Sequence, residues 1–242
     1  HSDHNDPELL SIVNSANIAC GYHAGDEETM NKVIQISKKN NVSIGAHPSF
    51  KDVENFGRKR LNLNSSEIKK LIIDQYEILQ TIASKHNEKV THIKPHGALN
   101  NMACEDMELS ITIAKTIEEI DKNLIYLVPT GSKMETAGNR FNLNIACEIF
   151  ADRNYEDDGN LVSRSKENAL ITDPNLAKSH VLKMVKNQSL NCLSGKQIPC
   201  KIDSICIHGD NRSSLDTARI IKNELRDNGL TLKPLNKMKK FI

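Results

Sequence analysis

Tryptophan is absent from this 242-residue chain, and aromatic residues make up only 4% of it. Aliphatic side chains must therefore fill most of the core. No apolar run is long enough to span a bilayer, and no secretory leader pattern is visible. Charge of one sign is not in excess: 32 Lys and Arg stand against 31 Asp and Glu, a net of +1. That balance removes the electrostatic footprint expected of a nucleic-acid binder or an anionic-membrane binder. The basic end "KPLNKMKKFI" is short and reads as a solvated tail. The six cysteines include no C-x-x-C pair and no dense framework. Cys20, Cys147 and Cys206 lie inside apolar, strand-like runs, where a free thiol acts as a small hydrophobe. Cysteine used this way points to a reducing cytoplasm. Cys192 and Cys200 flank the turn-like "LSGKQIP", and in that compartment two free thiols are expected there rather than a disulfide. Low-complexity segments and linker-like stretches are missing too, so residues 1–242 read as a single domain.

What is present is alternation. "DPELLSIV" opens as a helix, with Asp6 at its cap and Pro7 in its first turn. The apolar run "SANIAC" follows as a buried strand, then a helix over "DEETMNKVIQISKKN", then strand "VSIGAH". A long polar loop, "PSFKDVENFGRKRLNLN", is of the kind that serves a site. The strongest helical period runs through "SSEIKKLIIDQYEILQTIASKH". Strand "THIKPHG", a helix around "DMELSITIAKTIEEI", strand "LIYLVP", a short helix "SKMETAGNR" and strand "LNIACEIF" come next. A helix from Asp173–Pro174, strand "SICIHG" and a helix ending at Gly229 complete the pattern. Continuously apolar strands alternating with helices imply a parallel sheet covered by helices. An open doubly wound sheet and a (β/α) TIM-barrel-like sheet both satisfy this. His23, His47, His96, Asp152 and His208 each fall just past a strand. Only a barrel gathers so many strand ends around one axis, so the barrel is favoured.

Each of these residues also has a plainer reading. In "CGYHAGD", His23 suits a base, a metal ligand or a hydrogen-bond donor, whereas Asp26 sits where the next helix needs its N-cap. His47 precedes a proline in a turn. In "HIKPHG", alternation puts His92, Lys94 and His96 on one face. An inward lysine needs a partner: a substrate carboxylate or phosphoryl group, or a buried carboxylate such as Glu148. Glu148, Asp152 and Arg153 form a third group, and His208 with Asp210 repeats the first motif, Asp210 again being a cap or a site residue. His23, His47 and His96 are the candidates for a divalent metal, although H-E-x-x-H and C-x-x-C are both missing. "PTGSK" has the look of a phosphate loop but lacks Walker spacing.

Five strings carry a resemblance: "SANIACGYHAGD", "IGAHPSF…FGR", "HIKPHGALN", "EIFADRNYEDDGNLVSR" and "CIHGD". Together and in order they resemble the LamB/YcsF family. The resemblance implies a distorted seven-stranded (β/α) barrel related to glycoside-hydrolase and deacetylase barrels. It also implies the A subunit of an ATP-hydrolysing 5-oxoprolinase, working with subunits B and C and open to forming a homo-oligomer as well. The reaction would be 5-oxo-L-proline, ATP and water giving L-glutamate, ADP and phosphate. The implied catalytic set is His23, His47, Lys94, His96, Glu148, Asp152, Arg153 and His208. Asn17, Asp26, Arg58 and Asp210 would bind substrate. Two departures stand out. The family's opening D-x-N-x-D-x-G-E strand has no counterpart, so the chain reads as truncated at its N-terminus with the first barrel strand missing. Asn100 stands where the family usually has tyrosine. Alternative readings are a metal-dependent, deacetylase-like hydrolase on a related barrel, and a non-catalytic scaffold for a multi-subunit enzyme.

Overall fold

A computed structural model describes residues 6–209 and 213–242. Helix α1 (Asp6–Ile12) leads into strand β1 (Ser15–Ala19), α2 (Glu27–Lys39), β2 (Ser43–His47), α3 (Ser65–Lys85) and β3 (Val90–Ile93). Then come α4 (Gly97–Glu105), α5 (Met107–Ile120), β4 (Ile125–Pro129), α6 (Lys133–Arg140) and β5 (Asn144–Phe150). Helix α7 (Pro174–Asn187), a hairpin of β6 (Ser189–Asn191) and β7 (Gln197–Pro199), β8 (Ser204–Cys206) and α8 (Ser214–Asp227) follow. Six strands form one parallel sheet in the order β1-β2-β3-β4-β5-β8. The sheet curls into an α/β half-barrel, the class that the strand-end residues imply.

Local chemistry sets the element boundaries. Asp26 accepts from Thr29 N at 2.7 Å and starts α2. Asn64 and Glu67 form a reciprocal capping box at α3. Asp173 caps α7 with Pro174 at its first position. Helix α4 is the one the sequence reading misses: glycine and two asparagines in its first turns hide any apolar period.

Alternation divides the strands between two environments. Ile18, Ile44, Ala46, Ile93, Tyr126, Val128, Ile145 and Cys147 point outward and form one cluster with the inner faces of the helices. The opposite face is the barrel interior, and the parallel register stacks it in rows. Asn17, Gly45 and His92 share one row across β1, β2 and β3. The row above it holds Ala19 and His47, with Lys94 just past the end of β3. Glycine is required at 45 because a Cβ there would overlap the His92 ring.

The tail departs from its expected solvated state. Two short 3₁₀ turns, Leu235–Lys237 and Lys239–Phe241, pack beneath the sheet. Leu235 is only 2% exposed and joins Ile125, Leu127 and Ala146, with Met238 and Phe241 alongside. The backbone N–H of Leu235 donates to Ser15 Oγ at 3.2 Å. Leu235, Met238 and Phe241 recur every three residues, the period of a 3₁₀ helix, so one apolar edge faces the barrel, while Lys237 and Lys239 are exposed and Lys240 pairs with Asp203 at 2.6 Å. The tail is a floor. All six cysteines are free, as expected of Cys192 and Cys200, and no described helix is long and apolar enough to cross a membrane. Replacing Leu235 with Ala should destabilise the protein by about 2–5 kcal/mol. A lowered urea midpoint would register this; an unchanged midpoint would mean that the floor contributes no packing.

Candidate active site

The strand ends open into a cavity of about 1080 Å³, lined among others by Asn17, His23, His47, Arg58, His96 and His208. At its centre lies a buried ion pair. Lys94 Nζ meets Glu148 Oε2, with side-chain exposures of 5% and 2%, and also donates to Cys206 Sγ at 3.3 Å. Burial opposes the Lys94 charge, but Cys206 and Glu148 outweigh it and raise the pKa. Burial pushes the Cys206 thiol itself to about 12, so it is neutral and Glu148 is the countercharge. The carboxylate named from sequence as Lys94's protein partner is therefore the one it finds. The ammonium also lies 4.9 Å from the Phe150 ring centroid.

Three imidazoles form one wall. His23 and His96 stack with centroids 4.0 Å apart and planes 9° apart. His96 Nδ1 lies 3.1 Å from His47 Nε2. His47 Nδ1 lies 2.6 Å from the Lys94 carbonyl oxygen, and His96 Nε2 lies 2.9 Å from that of Phe56. Burial lowers His23 to about 3, helped by the neighbouring His96, and lowers His96 to about 4. His47 is driven well below its ordinary value by the same cause, with His96 and Lys94 adding to it. Burial therefore favours the neutral form of all three rings near pH 7. Among the described residues, no three His, Cys, Asp or Glu side chains gather closely enough to hold a metal ion.

On the opposite wall, His208 Nδ1 lies 2.8 Å from Asp152 Oδ2 and 3.0 Å from Oδ1. Burial works against ionisation of Asp152, but the hydrogen bond from His208 overcomes it and holds the carboxyl below its usual range. This dyad fixes the tautomer of His208 and leaves Nε2 as its basic atom. Arg153 borders the cavity, but its Nη2 donates to Val162 O at 2.6 Å and its Nε to Ala169 O at 3.4 Å. It clamps the segment after β5, and burial lowers its pKa to about 10.

The remaining candidates separate. Asn17 lines the cavity, and its Oδ1 is buried without a partner among the described residues. Arg58 also lines it and lies 5.1 Å from the Phe56 ring centroid. Asp26 is accounted for as the cap of α2, and Asp210 lies outside the described residues. Sequence reasoning misses Phe56. Its ring meets both His23 and His96 edge-on, at 5.2 and 5.1 Å, and its carbonyl orients His96. Phe56 holds a φ of +56°, unusual for a bulky residue, and Gly57 follows at +66°. The "FG" inside "FGR" was the available signal. "PTGSK" closes on itself: Gly131 N donates to Glu135 Oε2 at 2.7 Å, so a carboxylate fills the place a phosphate would take.

A model described as the LamB/YcsF family matches residues 2–240. A Nitrobacter hamburgensis protein, named as the A subunit of 5-oxoprolinase, is 41% identical over 236 residues, covering 97% of this chain and 92% of the relative. A Clostridium beijerinckii protein of the same name is 42% identical over 233 residues, 96% and 91% of the two chains. The crystal structure of a "Lactam Utilization Protein" from Thermus thermophilus superposes with a TM-score of 0.89 at 31% identity, covering 97% of this chain and 94% of the other.

The geometry makes two predictions. Lys94→Met alone should cost about 3–5 kcal/mol, because Glu148 is left buried and unpaired. Lys94→Met with Glu148→Leu should recover most of that in the same denaturation assay; equal losses in both variants would argue against an ion pair. The second concerns acid. Between about pH 6.5 and 4, the unfolded chain protonates His23 and His96 while the folded chain does not. Stability should fall with pH through that window by roughly 1.4 kcal/mol per unit for each ring. A urea midpoint that stays flat across it would contradict their neutrality.

Proposed function

The chain belongs to the LamB/YcsF family, and on that premise we propose that it opens the lactam ring of 5-oxo-L-proline to give L-glutamate. In this reading it is the A subunit of a multi-subunit 5-oxoprolinase with subunits B and C, and ATP is the second substrate. The observation that carries the proposal is convergence. Side chains from separate strand ends, His23, His47, His96, Glu148 and His208, meet around one cavity, with Asp152 hydrogen-bonded behind His208, in a chain whose relatives bear lactam-related names.

A lactam is a stable amide, and its carbonyl carbon is a poor electrophile. Transfer of the γ-phosphoryl group of ATP to the lactam oxygen releases ADP and leaves a ring carbon with a good leaving group. Water then adds to that carbon and loses a proton. The C–N bond breaks as the nitrogen takes a proton to become the amine, which leaves the new side-chain carboxyl as an acyl phosphate. A second water hydrolyses that acyl phosphate to the carboxylate of glutamate and inorganic phosphate. Here His208 Nε2 removes the proton from water, with Asp152 holding the ring and stabilising the imidazolium that forms. The ion-paired Lys94 keeps a fixed positive charge beside the reacting groups without titrating near neutral pH. Since Glu135 fills the "PTGSK" turn, the ATP phosphates lie elsewhere, at the cavity mouth or on a partner protein.

His208→Ala and Asp152→Asn should each lower kcat by about 10²–10⁴-fold with the fold retained. The assay is ATP-dependent release of glutamate from 5-oxo-L-proline with subunits B and C supplied. Full turnover by both variants would remove the dyad from the chemistry. Full turnover after replacing every strand-end histidine would make this chain a scaffold for its partners.

A further inference from the structure

The His47–His96 pair carries an unresolved conflict over protons. A carbonyl oxygen only accepts hydrogen bonds. His47 Nδ1, 2.6 Å from the Lys94 carbonyl, therefore carries hydrogen, and so does His96 Nε2, 2.9 Å from the Phe56 carbonyl. In a neutral imidazole the second nitrogen is then a bare acceptor. The two bare nitrogens, His47 Nε2 and His96 Nδ1, face each other at 3.1 Å. That is a hydrogen-bond distance with two acceptors and no donor. Switching either ring to its other tautomer only moves the conflict, setting a lone pair against a carbonyl oxygen instead. One added proton satisfies all three contacts at once.

The surroundings oppose that proton. Burial disfavours charge on either ring, and His23 stacks on His96 at 4.0 Å. Lys94 and Arg58 bring positive charge from the segments after β3 and β2, and His208 faces the pair from beyond β8. Glu148 is already committed to Lys94, and Asp152 to His208. An incoming negative group changes this balance, because among the described residues the two carboxylates of the site, Glu148 and Asp152, already have partners.

We propose that His47 and His96 form a proton-coupled anion subsite: a carboxylate or phosphoryl group enters the cavity together with one proton, which settles between His47 Nε2 and His96 Nδ1. One proton moves from solvent to the pair, forming a single N–H bond on an imidazole nitrogen as its bond to water breaks, and the imidazole–imidazolium couple faces the anion. Identifying the anion as the carboxylate of 5-oxo-L-proline rests on the function proposed above, whereas the subsite itself rests on the geometry of the two rings. It gives the pair a task in turnover as well, since the stored proton lies within the same cavity as the nitrogen that must leave the ring.

The test is isothermal calorimetry on the full chain with two probes, 5-oxo-L-proline and inorganic phosphate, in two buffers of unlike ionisation enthalpy. The enthalpy difference between buffers reports protons taken up. The expected result is about one proton per bound anion near pH 7, with affinity falling about tenfold per pH unit above it. His47→Gln, which offers a neutral amide in place of the ring, should bind the anion more weakly and without proton uptake. Nitrogen-15 spectra of the labelled imidazoles should show the inner nitrogens becoming protonated only when the probe is added. Binding with no proton uptake and a pH-independent affinity would overturn the proposal, as would failure of both probes to bind. Phosphate binding with proton uptake while 5-oxo-L-proline fails to bind would uphold the subsite and remove the substrate assignment.

Discussion

The buried pairing of Lys94 with Glu148 is the constraint that the rest of the site obeys. It reaches from the end of β3 to β5, past β4, which contributes no charged group to the interior face. Two charges in that position are tolerable only as partners, because either one alone would face a desolvation penalty of several kcal/mol. The pair thereby fixes how β3 and β5 lie across the barrel. Among the described residues, the two carboxylates of the site are both taken, Glu148 by Lys94 and Asp152 by His208. Three imidazoles on one wall are held neutral, and the acid on the other wall is taken by His208.

Preorganisation follows from how the loops are tied down rather than from the side chains alone. The long segment after β2 is pinned to α3 through Gln75, which donates to Ser49 O at 2.8 Å and accepts from Ser49 N at 3.0 Å. Phe50 is fully buried beneath it. Further along the same segment, Phe56 N–H donates to Val53 O at 3.2 Å and Gly57 N–H to Asp52 O at 2.7 Å, and this turn holds the positive φ at Phe56, a conformation that costs of order 1–3 kcal/mol and clusters at functional sites. The strained residue presents a carbonyl to His96 and a ring to two imidazoles. The strand ends thus place the three imidazoles, and the loop after β2 orients His96 through the Phe56 carbonyl.

Much of this was legible in the chain because it depends on near neighbours. The apolar runs, the caps at Asp26 and Asp173, and the strand-end positions of His23, His47, His96, Asp152 and His208 are all local patterns. Parallel register then converts five local patterns into one site. What stayed hidden depends on partners far along the sequence. Nothing near Arg153 announces that Val162 and Ala169 will occupy its guanidinium. The carbonyl of Phe56 carries no residue-specific signal at all. Helix α4 lacks the apolar period that marks the other helices. The tail was misjudged because its lysines dominate its composition, while its three-residue apolar period becomes meaningful only once a barrel floor needs covering.

That floor has a consequence for how the molecule is made. Leu235 meets Ser15 across 220 positions of sequence, so the contact that closes the interior joins the first strand to a segment synthesised after every strand it covers. Until residues 235–241 emerge, the inner faces of Ile125, Leu127 and Ala146 stay open to water. The nascent sheet then resembles an unlidded cup, with apolar surface available to chaperones or to a second nascent chain. Closure of so long a loop is entropically slow relative to helix formation and local strand pairing. The order of synthesis therefore leaves the mouth of the site to form early and the bottom of the barrel to seal last.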